Sequence, residues 1–367
     1  MRHDNPDVKE DLKKEDIHGI HYYWVKTRKY QGNGIDRAIG MAEFVGKIIC
    51  HAREICSEIK PDVVIASSTY PMSEYAARKI RRISGAKYIH EIHDMWPATL
   101  IEIGGMSRKN PFVWINQIAE NAFCRHADAV VSIPPATKKY LIRHGMKPEK
   151  FFHVPNGIVK EDWENPDSLP QEHQEMIDKL RQDNKFLIVF AGSHNEAYGL
   201  EYLIEAIRKL KDERVCAVFV GDGYLKNKLI EDTREERDRF VFLPSISKTA
   251  IPSLFEQADT LYVSGTKDNL FRFGISMNKL MDSMMAGRPV LYAVNAPNNY
   301  IKKYRCGVSV PPRDSAALAQ GIRKLMGMSK EGRDQMGENG RNAALEYFEY
   351  KQISENFLKI MKEIGQK

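Results

Sequence analysis

At 367 residues the chain exceeds what one ordinary hydrophobic core supports and is comfortable for two. It is 43% hydrophobic and 28% charged, has no apolar run near the roughly 18 residues that span a bilayer, and starts on polar Met1-Arg2-His3-Asp4-Asn5-Pro6, so that no signal peptide is expected. Of the net charge of +6, residues 1–150 carry all the surplus, with 24 Lys and Arg against 18 Asp and Glu, while the rest balances at 31 and 31. A basic face of that kind suits phosphates of a membrane surface or of a lipid-linked substrate. No helix-turn-helix, zinc-finger or basic-zipper pattern is present, so no nucleic-acid partner is expected.

Short β-branched runs alternate with amphipathic stretches, the pattern of parallel α/β architecture. In the first half the predicted strands are Gly19–Lys26, Asp62–Ser67, Lys87–His93, Ala129–Ile133 and Phe151–Val154. Helices are predicted at Ala38–Ile59, Ser73–Ser84, Pro111–Arg125 and Pro135–His144. The second half repeats the alternation, with strands at Lys185–Ala191, Val215–Gly221, Phe240–Leu243, Thr260–Ser264, Pro289–Ala293 and Val308–Val310. Its helices are Leu200–Leu210, Tyr224–Asp232, Ala250–Gln257, Asn278–Ala286 and Ser315–Met326, and one long helical pattern, Asp334–Ile364, closes the chain. Pro155-Asn156-Gly157 and the polar stretch after it mark a boundary. The expected organisation is a first domain over 1–157, a linker over 158–184, a second domain over 185–332, and a C-terminal helix over 333–367 that packs back on the first. Cys50, Cys56, Cys124, Cys216 and Cys306 lack metal-ligand spacing and read as reduced thiols of a cytoplasmic protein.

In doubly wound sheets ligands gather beyond the carboxyl ends of strands, where helix N-termini offer free N–H groups. After the first strand of the second half comes Gly192-Ser193, where the backbone can approach a phosphate. After the next comes Gly221-Asp222-Gly223, a tight turn whose Asp222 is expected to cap the following helix. A Gly274-Ile275-Ser276 turn then feeds a helix that starts at Asn278. Lys279 in its first turn can reach a diphosphate, and Asp282, one turn on, can accept from ribose hydroxyls. In the first half, His93 and Asp94 follow a strand, with Asp94 placed to cap a turn, and Glu120 is expected on a solvated helix face.

Gly-Ser, then Gly-Asp-Gly, then Asn278-Lys279-Leu280 through Asp282, Met284 and Ala286-Gly287-Arg288-Pro289-Val290, resembles the retaining GT-B glycosyltransferases of the glycogen-synthase-like group. The nearest branch builds bacterial O-antigen and capsule, including N-acetyl-fucosaminyl transfer. Pro61–Ser68, Glu91–Pro97 and Val154–Ile158 extend the resemblance into the first half. It implies two facing Rossmann-like, doubly wound domains with a cleft between them. The second would hold a nucleoside diphosphate sugar, expected to be a UDP-sugar, with no further cofactor and no essential metal. Gly192 and Ser193 would face the phosphates, Lys279 would neutralise them with Arg272 in support, and Asn278 and Asp282 would complete the donor site. His93, with Asp94, would lie beside the donor sugar.

The sequence departs from the family pattern where Gly274 replaces the first Glu of the usual Glu-x7-Glu, and where His194–Gly199 supplies neither the Arg nor the Lys that commonly clamps the diphosphate. The acceptor implied is a lipid-linked or saccharide hydroxyl, reached by peripheral contact with the inner face of the cytoplasmic membrane. The same architecture also serves sugar-nucleotide 2-epimerases. The first domain is expected to lack its opening strand–turn–helix–strand, about fifty residues, because residues 1–18 carry no β-branched run. That leaves a weak or partner-dependent enzyme as a further alternative.

Overall fold

The computed structural model describes residues 8–366 apart from 31, 33 and 266–268. The chain divides into two units, one built from residues up to Val154 together with those from Leu358, the other from Pro155 to Phe357.

The first unit opens on β1 (Leu12–Ile17) and β2 (Ile20–Val25), an antiparallel hairpin that sets Leu12 opposite Val25 and Ile17 opposite Ile20. His18 and Gly19 turn it with φ of 53° and 77°, the pair of positive values that a tight two-residue hairpin turn requires. Two expectations are corrected here. The strand at Gly19–Lys26 stands outside the parallel sheet, and residues 1–18 do hold a strand, although 1–7 lie outside the described residues. The strand is polar because charge fastens it. Lys14 Nζ lies 2.7 Å from Glu58 and 3.1 Å from Glu54, and Lys47 2.6 Å from Asp11, all reaching between the hairpin and α1 (Ile35–Ile59).

The parallel sheet of this unit runs in the order β3 (Val63–Ser68), β4 (Lys87–Ile92), β5 (Ala129–Ser132), β6 (Phe151–His153). Between its strands lie α2 (Ser73–Ser84), α3 (Ala98–Glu102), α4 (Pro111–His126) and α5 (Lys138–Arg143). β5 is buried along its whole length, as a strand covered on both faces must be.

The second unit begins with α6 (Glu161–Glu164) and α7 (Gln171–Gln182). Its sheet strands are β7 (Phe186–Ala191), β8 (Val215–Val220), β9 (Phe240–Leu243), β10 (Thr260–Ser264), β11 (Val290–Ala293) and β12 (Gly307–Ser309). They pair in parallel in the order β12-β11-β10-β7-β8-β9, a doubly wound sheet with β7 at its centre. Around it run α8 (Leu200–Leu210), α9 (Lys226–Asp232), α10 (Ile251–Glu256), α11 (Asn278–Met285), α12 (Tyr300–Tyr304), α13 (Ser315–Met326) and α14 (Lys330–Tyr347), and α15 (Tyr350–Gln366) follows, its residues from Leu358 belonging to the first unit. Its neighbour β8 is a continuous apolar run with every residue buried, in one core cluster through Ala217 and Phe219 with Leu203 and Ile207 of α8.

Two boundaries differ from the sequence expectation. Residues 158–184 are no linker: in α7, His173, Ile177 and Leu180 are buried at helical spacing, and Ile177 and Leu180 pack with Leu187 and Val189 of β7. The closing helix is two helices broken at Phe348 and Glu349. Ile158 N donates to the Phe348 carbonyl at 2.7 Å and Tyr350 N to the Ile158 carbonyl at 2.9 Å, so the strand-like chain after Gly157 is stitched into the break. Gly157 is what permits the approach, since a Cβ there would run into the Phe348 carbonyl and the Ile353 side chain.

Gly157→Ala should therefore lower unfolding stability by about 1–3 kcal/mol, the usual cost of forcing atoms into a packed site. Gly46→Ala, in the interior of α1 with open space at its Cβ, should raise it by roughly 0.5–1 kcal/mol. Urea titration of both variants checks the opposite signs.

Candidate functional site

In the second unit, the ends of β7 and β8 and the start of α11 converge on one ammonium group. Lys279 leaves the first turn of α11 and its Nζ is inaccessible to water, with no hydrogen-bond partner. It rests on two aromatic faces, 4.0 Å from the Phe190 ring centroid and 3.7 Å from that of Tyr198. Cation–π contacts replace only part of the lost hydration. Burial consequently drives the Lys279 pKa down to about 7. Gly192 makes this placement possible. Its φ is 146°, and a Cβ would collide with Lys279 Nζ. Gly192 and Lys279 thus lie side by side although 87 positions separate them.

Ser193 is exposed, and its Oγ accepts from Asn195 Nδ2 at 3.1 Å. The expected helix start is not beside it. A short turn, Glu196–Tyr198, intervenes before α8 begins at Leu200, so only loop N–H groups are near Ser193. Asp222 likewise caps no helix. Its Oδ1 accepts from Gly223 N at 2.7 Å and its carbonyl from His194 N at 2.8 Å, which ties the β7 and β8 turns together. His194 is buried among Phe190, Phe219 and Phe242 with both ring nitrogens unpartnered, and burial lowers its pKa to about 4, so it stays neutral.

Asn278 is exposed at the head of α11, whose leading N–H groups have no partner four residues back. Asp282 is half-buried, and burial raises its pKa to about 6 against the pull of Lys248, which lies 3.0 Å from Asp162. Arg272 is exposed on the turn Asn269–Phe273, its guanidinium 4.3 Å over the Phe273 ring and donating to the Asn269 carbonyl at 2.7 Å.

The loop that delivers α11 is clamped from both sides. Asn156 Nδ2 donates to the Ser276 carbonyl at 2.6 Å and Asn156 N to Ser276 Oγ at 2.8 Å. Asn298 Nδ2 donates to the Ile275 carbonyl at 2.6 Å and its Oδ1 accepts from Ile275 N at 2.9 Å. Both amides fix the backbone just ahead of Lys279; the sequence marks Asn156 only as part of a domain boundary and does not mark Asn298.

In the first unit, His93 is exposed at the end of β4, its Nε2 2.8 Å from Ser67 Oγ and 3.1 Å from Glu91 Oε2, and the Glu91 carboxylate raises its pKa. Asp94 is occupied structurally. It accepts from Met95 N at 2.7 Å, Thr99 Oγ1 at 2.6 Å and Trp96 Nε1 at 3.1 Å, so it shapes the turn that presents His93. Glu120 is not on a solvated face: it is buried, accepts from Tyr140 Oη at 2.9 Å and Gln117 Nε2 at 2.6 Å, and burial lifts its pKa to about 7. A cavity of about 650 Å³ opens beside Asp94, lined largely by apolar side chains such as Met41, Trp96, Leu100 and Phe112.

Comparison with known proteins gives this geometry its setting. Residues 172–343 match the family described as Glycosyl transferases group 1, and residues 8–162 match Glycosyltransferase Family 4. The chain has the GT-B fold and is a glycosyltransferase, the group 1 match lying within its second unit. It is 24% identical to the putative colanic acid biosynthesis glycosyl transferase WcaI of Escherichia coli K12, over 74% of this chain and 68% of that one. It is 25% identical to the alpha-D-kanosaminyltransferase of Streptomyces kanamyceticus, over 77% and 72%. Among solved structures it resembles HepE of Anabaena in complex with UDP, with a TM-score of 0.67, 18% identity, and 89% and 84% of the two chains covered. Among the described residues, no helix is long and apolar enough to cross a membrane.

The buried titratable groups of the glycosyltransferase leave opposite pH signatures. Lys279 ionises near 7 when folded and at an ordinary 10.5 when unfolded, so the unfolded chain binds more protons between those values and stability rises across that window. Glu120 goes from an ordinary 4.5 to about 7, so the folded chain binds more protons there and stability falls as pH rises through it. Lys279→Met should raise the melting temperature of the free enzyme at neutral pH and cease to do so above the ordinary lysine pKa. Glu120→Gln should flatten the decline on the acid side of neutrality. Calorimetry across pH tests both.

Proposed function

We propose that this glycosyltransferase moves a sugar from a nucleoside diphosphate sugar, a UDP-sugar, to a hydroxyl of a lipid-linked or saccharide acceptor. The transfer would keep the anomeric configuration and would serve the assembly of a cell-surface polysaccharide in the cytoplasm, with peripheral contact at the membrane. The observation that carries the reading is the Lys279 ammonium, buried without a partner beside Gly192 and at the head of α11. A cation desolvated in this way is restored by an anion, and the helix terminus favours the same charge. During transfer, negative charge accumulates on the departing diphosphate, and a fixed ammonium with aligned N–H groups stabilises it without reorganisation.

Further support comes from the similar fold of HepE, whose structure contains UDP, and from the colanic acid assignment of WcaI. Asn156 and Asn298, by fixing the backbone ahead of α11, are proposed to set the depth at which Lys279 meets the phosphates. Gly192, Ser193, Asn278 and Asp282 complete the proposed donor site, with Asp282 directed to the ribose and Arg272 at its margin. His93, oriented by Glu91 and by the turn that Asp94 holds, is proposed to stand beside the transferred sugar.

UDP should raise the melting temperature of the wild-type protein, as a ligand of the native state does. Lys279→Ala and Asp282→Ala should each lose most of that rise relative to their own ligand-free values. His93→Ala should keep the rise and lose sugar transfer. An undiminished UDP shift in both donor-site variants would remove the assignment. Conversion of the donor to its epimer in the absence of any acceptor would replace transfer with 2-epimerisation.

A further inference from the structure

Helix α4 departs from an ordinary surface helix in burying two polar side chains while exposing an apolar stripe. Its inward side carries Asn116 and Glu120 at 0% and 1% exposure, among Val113, Ala119, Phe123 and Cys124. Its outward side carries Trp114, Ile115 and Ile118 at 66%, 45% and 46% exposure. At helical spacing these three lie on one stripe, which Pro111 begins and exposed Arg125 ends. Scattered exposed apolar residues need no explanation, but a contiguous stripe that includes a tryptophan marks a contact surface.

The charge around the stripe says what kind of surface it meets. Between residues 103 and 148 there are seven Lys and Arg against two acids, with Glu102 and Glu149 at the margins. Both acids are turned away from solvent: Glu120 is buried, and Asp128 is held by Arg81 at 2.9 Å and by Tyr88 N at 2.8 Å. Exposed Arg108 and Lys109 precede α4. The neighbouring helix α5 is fastened to the flank of α4 by Tyr140 on Glu120 at 2.9 Å, and by His144 just after it on Asn121 at 2.8 Å, and it brings exposed Lys138, Lys139, Ile142 and Arg143. An apolar stripe with an aromatic anchor, bordered by cations and cleared of anions, has the chemistry of an element that lies in the interface of an anionic bilayer.

We propose that the outward face of α4, through Trp114, Ile115 and Ile118 and the basic side chains beside it, seats this protein on an anionic lipid bilayer. The proposal rests on the reading that the acceptor is lipid-linked, and it assigns that reading a surface. The apolar side chains enter the acyl boundary while Arg108, Lys109, Lys139 and Arg143 meet the phosphates above it, and the interior pairing of Glu120 keeps its carboxyl from opposing them.

Flotation with vesicles of phosphatidylglycerol in phosphatidylcholine, and with phosphatidylcholine alone, tests the assignment. The wild-type chain should float with the first at low salt, release as salt rises, and not float with the second. W114S/I115S/I118S, at exposed positions and checked for an unchanged circular dichroism spectrum, should bind at least ~10-fold more weakly. Its UDP-induced melting shift should be unaltered, which separates failure of the docking surface from failure of the donor site. In a second readout, I118C labelled with nitrobenzoxadiazole in a C50S background should shift its emission to the blue on the anionic vesicles. Undiminished flotation of the triple variant, or a label that stays in water while the protein floats, would overturn the proposal. So would absence of vesicle binding together with a concentration-dependent dimer that the triple variant loses, which would assign the face to a second copy of the chain.

Discussion

A lysine ammonium held out of water without a carboxylate is the constraint on which the second unit is organised. Leaving a charge in such a place is opposed by its lost hydration, so everything around Lys279 must be stiff enough to keep it there. The aromatic faces of Phe190 and Tyr198 take part of the charge, a glycine clears its path, and two asparagines fix the loop from which it emerges. The fully buried strand β8 beside β7 supplies the rigid floor. The site is therefore unfavourable to the empty protein, which is how functional sites commonly differ from the rest of a fold.

The first unit follows the same logic with a carboxyl group. Glu120 lies where an apolar side chain would pack without cost, and its neutral form is favoured by burial while Tyr140 and Gln117 occupy one oxygen. Asp94 shows the alternative arrangement: three donors converge on it and it acts by shaping the turn, not by reacting. Two acids in one unit thus take different structural parts because their partners differ, not because their sequence contexts announce it.

Much of this was legible in the amino-acid sequence. Short apolar runs located the parallel strands to within a residue or two, because β5 and β7 to β11 are such runs flanked by turns. Lys279 and Gly192 were legible because helix starts and glycine turns after strands have a fixed place in such sheets. The hairpin β1–β2 was not, since Lys13, Lys14, Glu15 and Asp16 disguise a strand held by ion pairs, although His18-Gly19 before Ile20 was a usable turn signal. Helix α7 was lost in a Gln- and Glu-rich stretch whose His173, Ile177 and Leu180 spacing still carried the information. Asn156, Asn298, Phe190 and Tyr198 were out of reach, because their roles depend on partners 23 to 120 positions distant or on ring placement that only the folded chain defines. Glu120 was misplaced because a carboxylate on a helix is nearly always solvated.

The division of the chain also bears on how the protein is made. The first unit draws on residues up to Val154 and then on those from Leu358, where buried Ile360 and Ile364 lie. The roughly 200 residues between them must leave the ribosome first, which at about 5–20 residues per second takes on the order of 10–40 s. Throughout that interval the nascent first unit waits for the helix turns that finish it, while the second unit emerges whole behind it. The half-made unit is thus the long-lived incomplete species of synthesis, its apolar surface bare until Ile360 and Ile364 arrive.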